Sequence, residues 1–248
     1  MYRDGHDVDL PVNATNILKN LLYKGLNSKS TTELCWCISN MAAAAPQGYY
    51  IYQEFAGILG KILSETSDGK VTIMALNALR NIAGDCVENR NFVLDTVTLA
   101  PIVKIIEKHM IFSTETDRQV VKAGLMVCTA LTRKKPAPPM NKTSALFIKP
   151  NLLPTLLASN DMEIVEEVLW TYSGLTEQSQ KENLSNIGKS VNYRRLVELS
   201  KSPLNNISYV AYRGVGNLMV SDDESITMRF VENGVLDVLK RNLEVKVV

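Results

Sequence analysis

Trp36 and Asn40 stand four residues apart in ELCWCISNMAA, and that spacing of large or polar residues returns down the chain. The later pairs are Asn77 and Asn81 in LNALRNIAGD, Met126 and Ala130 in LMVCTALTRKK, Trp170 and Gly174 in VLWTYSGLTEQ, and Arg213 and Asn217 in YRGVGNLMVSDD. A step of four places both members on one helix face, one turn apart. Asp85 continues the second pair by a further turn. Side chains of these kinds, repeated on one face, suit non-covalent binding. Covalent chemistry lacks an inventory. His6 and His109 lie in no acid–base or nucleophile motif, and no glycine-rich phosphate loop is present. Glu166 and Glu167 sit among Met162, Val165 and Val168 and read as the polar flank of a helix. The chain therefore reads as non-enzymatic, with no cofactor.

The elements that carry these pairs recur about every 41 to 49 residues. Helical patterning at that period predicts an all-α solenoid of armadillo or HEAT type, a fold built as a binding surface. The second repeat predicts helices over 70–83, 87–95 and 100–109. The first has Ala75, Ala78, Leu79 and Ile82 on its core face, and the last carries Ile102, Val103, Ile105 and Ile106 as an apolar stripe. The same register gives core faces of Leu34, Cys37, Ile38 and Met41; Val127, Cys128 and Leu131; Val168, Tyr172 and Leu175; and Ala211, Val215 and Leu218. Stacked units would set the second face along one groove. Gly57, Gly84, Pro101, Gly188, Pro203 and Gly234 read as boundary residues. The proline-rich stretch Lys134 to Pro139 must be a loop. The whole of 1–248 is expected to be one armadillo-repeat domain of about five full repeats with partial terminal repeats.

Hydrophobic content of 46% supports a continuous core, and a net charge of +1 gives no global field for nucleic acid or a membrane surface. No apolar run approaches a membrane span. MYRDGHDVDLPVN carries acids and no apolar stretch, so no signal peptide is expected. On that basis Cys35, Cys37, Cys86 and Cys128 read as reduced small apolar residues, and the four Asn-X-Ser/Thr matches as chance. Cys35 and Cys37 have the wrong spacing for zinc. The run Arg133, Lys134, Lys135 reads as a solvated charge cluster.

From about Asn13 to Leu243 the chain resembles importin-α, the armadillo adaptor for basic nuclear localisation signals. The resemblance rests on Asn81-Ile82-Ala83-Gly84-Asp85, on the Arg133–Pro139 loop, on Arg194-Arg195-Leu196-Val197-Glu198-Leu199, and on Gly214-Val215-Gly216-Asn217 followed by Asp222-Asp223. It implies a right-handed armadillo superhelix whose groove takes a basic peptide. A Trp in each groove helix would wall a slot for a Lys or Arg stem, with a cation–π contribution. The Asn one turn later would hold the peptide main chain, and groove acids would meet the ammonium groups. The family's major site corresponds to Trp36/Asn40, Asn77/Asn81 and Met126/Ala130, with Asp85 receiving the most demanding lysine. Asp85 also follows Gly84, where it could cap the next helix instead. Arg213 and Asn217 correspond to the start of the minor site, though Arg213 also suits an ordinary surface ion pair. Implied partners are localisation-signal cargo and importin-β; implied compartments are cytoplasm and nucleus.

The chain departs from the family pattern at Asn77, Met126, Ala130 and Gly174, and the remainder of the minor site and the basic segment that engages importin-β are not found in these residues. Two missing Trp walls and one missing Asn cost roughly 2–5 kcal/mol. That is on the order of 30-fold to several thousand-fold in affinity. Met126 can serve as a soft apolar wall. The expected function is a nuclear-import signal receptor. The alternative is an importin-α-derived scaffold that has lost signal binding and takes other peptides or proteins. A β-catenin-type scaffold is disfavoured, since it favours a strongly basic groove.

Overall fold

The computed structural model describes residues 12–25, 27–44, 53–148, 152–177 and 181–244. Residues 1–11, where no signal peptide is expected, lie outside them. Every regular element among the described residues is helical. The chain divides into two compact units that meet after Leu131. The first holds α1 (Val12–Tyr23), α2 (Ser28–Ala44), α3 (Gln53–Glu65), α4 (Gly69–Asp85), α5 (Val87–Thr96), α6 (Ala100–His109) and α7 (Glu115–Thr132), whose last residue opens the second unit. The second continues with α8 (Met140–Thr143), α9 (Ala145–Ile148), α10 (Leu152–Leu157), α11 (Met162–Thr176), α12 (Lys181–Gly188), α13 (Tyr193–Ser200), α14 (Asn205–Met219), α15 (Glu224–Glu232) and α16 (Val235–Glu244).

Local chemistry explains where the helices start. The Asp68 carboxylate accepts from the Lys70 and Val71 amides and caps α4. Asp161 does the same for α11 through Glu163 and Ile164, Asn192 for α13 through Arg195, and Asp223 for α15 through Ser225. Pro101 occupies the first turn of α6, where its missing N–H costs nothing. Gly234, at φ 85°, makes the left-handed turn from α15 into α16. The expected loop lies between α7 and α8, and Lys134 turns the chain there at φ 76°.

The cores follow the helical period. Ala75, Ala78, Leu79 and Ile82 of α4 are buried, as are Val127, Cys128 and Leu131 of α7. So are Val168, Tyr172 and Leu175 of α11, and Ala211, Val215 and Leu218 of α14. In α6, Ile102, Val103 and Ile106 are buried, while Ile105 is only half-buried.

Two expectations need correction. In α2 the buried seam is Cys35, Ile38, Ser39 and Ala42, while Leu34, Cys37 and Met41 are half-buried. The seam keeps helical spacing but is turned by one residue. α2 packs along α4, and the smaller side chains at Cys35, Ser39 and Ala42 let the two helices approach closely. Gly57 is no boundary; it lies inside α3. A Cβ at Gly57 would touch Thr96, and one at Gly60 would meet Val97 at 3.2 Å, so these glycines let α3 cross close over the end of α5.

Candidate functional site

The expected site residues fall in two sets. Trp36, Asn40, Asn77, Asn81, Asp85 and Met126 belong to the first unit, and Trp170, Arg213 and Asn217 to the second.

In the first unit, α2 presents Trp36 with 55% of its surface exposed, and Asn40 is exposed one turn later. An indole that open is not a core residue of its unit. α4 carries Asn77, Asn81 and Asp85 on successive turns, each half-buried. The Asn81 amide is committed within the protein. Its Nδ2 donates to the Ser39 carbonyl at 2.9 Å and to the Ser39 hydroxyl at 3.0 Å. Its Oδ1 accepts from Arg80 Nε at 3.2 Å and Nη2 at 3.0 Å. The same guanidinium reaches Met126 Sδ at 3.5 Å. Arg80 thus joins Asn81 to Met126, a cation set where the resemblance implies a slot for a ligand cation.

Asp85 does not cap α5. That cap is Cys86, whose sulfur accepts from the Asn89 amide at 3.4 Å. Asp85 Oδ2 instead accepts from Asn89 Nδ2 at 3.0 Å, and Asn89 Oδ1 accepts from Gln53 Nε2 at 2.7 Å. The carboxylate is thereby oriented by a buried amide from the next helix. Arg90 of α5 is fully buried, where loss of solvent lowers its pKa and Glu88 opposes that shift.

In the second unit, Trp170 on α11 is half-buried, and the guanidinium of Arg133 lies 4.6 Å from its ring centroid. Arg133 is therefore stacked and not simply solvated. Arg213 on α14 pairs with Glu177 at 2.5 Å. Asn217 Nδ2 donates to Thr176 Oγ1 at 3.2 Å, tying α14 to α11. Arg80, Ser39, Asn89 and Glu177 escaped the sequence reading. Arg80 had one signal, its place next to Asn81; the others act across helices and leave no local trace.

The all-helical architecture, with its recurring helices, is that of an armadillo-repeat fold. Solved structures agree on the fold. An engineered protein superposes with a TM-score of 0.77 at 21% identity, covering 94% of this chain and 90% of its own. A designed armadillo repeat protein in complex with the peptide (KR)4 gives 0.74 at 17% identity, over 92% and 90%.

By sequence, the chain is a distant relative of importin-α subunits over most of its length. It is 28% identical over 195 residues to importin subunit alpha-1b of Oryza sativa subsp. japonica, covering 77% of this chain and 34% of that one. It is 24% identical over 229 residues to importin subunit alpha-8 of Arabidopsis thaliana, covering 92% and 47%. The chain thus spans between about a third and a half of these relatives' length. No protein-family model matches it.

Proposed function

We propose that this protein is a receptor for basic peptide segments, working as a nuclear-import adaptor that reads localisation signals chiefly in its first unit. The observation that carries this reading is Trp36, exposed one turn before an exposed Asn40 on a helix packed along the one that ends in Asp85. The indole face would take the stem and charge of a Lys or Arg. The Asn40 amide would hold the peptide main chain, and the Asp85 carboxylate would take an ammonium. Kinship with importin-α subunits supports cargo carrying nuclear localisation signals, with importin-β as onward partner and work divided between cytoplasm and nucleus. The designed neighbour bound to (KR)4 supports the same ligand chemistry. The proposed role involves binding only, with no reaction. We further propose that the repeats of 1–248 act as one domain.

A second reading is favoured by specific contacts. Asn81 is spent on Ser39 and Arg80, and the Trp170 ring faces Arg133. These support a scaffold derived from an importin-α ancestor, with weak or altered signal binding.

The test is fluorescence anisotropy of a labelled lysine-rich localisation peptide, titrated at two salt concentrations with the wild type and Asp85→Lys. Salt-sensitive binding that vanishes in the variant is expected. Absent wild-type binding, with helicity intact by circular dichroism, gives the lead to the scaffold reading. Binding unchanged in Asp85→Lys would remove Asp85 from the site.

A further inference from the structure

Trp170 and Gly174 lie one turn apart on the same face of α11. That face is not open. The Arg133 guanidinium sits 4.6 Å from the Trp170 ring centroid, well inside the distance at which a cation is held by an aromatic face. Gly174 makes this possible. A Cβ there would stand 2.5 Å from Thr132 Oγ1 and 3.3 Å from Arg133 Cγ. Only a residue without a side chain lets the end of α7 and the stem of Arg133 lie this close to α11. Directly after Arg133, Lys134 takes a positive φ of 76° and turns the chain into the proline loop.

We infer that Arg133 is an internal occupant of the Trp170 slot and sets the specificity of the second unit. The inference rests on the peptide-receptor reading and refines it. Arg133 holds the position a ligand's Lys or Arg would take, so a basic side chain enters only by displacing it. Basic-peptide recognition at Trp170 is therefore masked, and the peptide reads mainly the Trp36 end. Arg133 acts here as a specificity-determining residue, and Gly174 as the opening that seats it.

Two measurements test this. In a Trp36→Phe background, Trp170 is the sole tryptophan, since the chain has two. Acrylamide quenching of its emission should rise in Arg133→Ala, with unchanged helicity by circular dichroism. In the Trp36 background, a labelled peptide of alternating Lys and Arg should bind Arg133→Ala about 2- to 30-fold tighter than wild type, the range of one cation–π contact. Adding Trp170→Ala should cancel the gain. A peptide that binds wild type and Arg133→Ala equally overturns the masking, as does a gain that survives Trp170→Ala. If the peptide binds neither protein, the receptor reading fails and takes the specificity role of Arg133 with it, while the quenching arm still decides the occupation of the Trp170 face: unchanged quenching overturns it, and increased quenching upholds it.

Discussion

Asn81 of α4 donates both its amide hydrogen bonds to a single residue of α2, the carbonyl and hydroxyl of Ser39, at 2.9 and 3.0 Å. Ser39 is buried, so this one amide satisfies two polar groups inside the seam between the helices. A residue that the resemblance assigns to ligand binding therefore also stabilises the fold.

Replacing Asn81 should cost stability whether or not a ligand binds. Asn81→Ala leaves the Ser39 groups without this donor, a penalty of about 1–3 kcal/mol. Urea unfolding followed by circular dichroism measures it; a midpoint equal to wild type would show that Ser39 finds another partner at no cost.

Trp36 should behave oppositely. With 55% of its surface exposed, Trp36→Ala is expected to change the unfolding midpoint little. It should weaken a lysine-rich peptide by about 2- to 30-fold, the worth of one cation–π wall. Anisotropy of the labelled peptide reads this directly, and unaltered affinity would place the ligand elsewhere.

Gly174→Asn restores the kind of larger polar residue implied by the resemblance, yet it should destabilise the second unit. The added Cβ would collide with Thr132 Oγ1, and such overpacking costs typically about 1–3 kcal/mol. A lowered thermal midpoint is expected, and Gly174→Ala should show most of the loss because the clash begins at the Cβ.

The cysteines should react in a fixed order. Burial pushes the Cys35 and Cys128 thiols up to about 12, so neither forms appreciable thiolate near neutral pH. Burial also raises Cys86. Cys37 is half-buried. A disulfide-exchange reagent at pH 8 should modify Cys37 first, and Cys37→Ser should abolish the fast phase. Cys35 and Cys128 should react only after denaturation.

Asp117 gives a pH dependence with a definite sign. Its carboxyl is held below the ordinary value by the His109 ring and by Thr114. A carboxylate depressed in the folded state stabilises it above the unfolded pKa, about 3.9, and loses that contribution as pH falls through the lower folded value. Asp117→Asn should therefore be less stable than wild type near neutral pH. The gap should close in acid below about pH 4, as read by thermal unfolding across the range.

Much of this architecture is legible from residue order. The bounds of α5 and α6 fall within a residue of the periodicity, and α4 is only slightly longer than expected. The buried faces of α4, α7, α11 and α14 follow the same pattern, and the proline stretch is the loop it had to be. These features are local: a helix's start, stop and apolar face depend on side chains within a few turns. The tertiary structure decided the rest. It turned the seam of α2 by one residue, because the close approach to α4 selects small side chains over large ones. It spent Asn81 on Ser39, 42 residues away, and linked Arg80 to Met126 across 46. It seated Arg133 on Trp170 through the gap at Gly174. Periodicity states which face a side chain occupies, whereas its partner depends on the separation of helices far apart in the chain, and a hydrogen bond or stacked cation is won or lost over about an ångström.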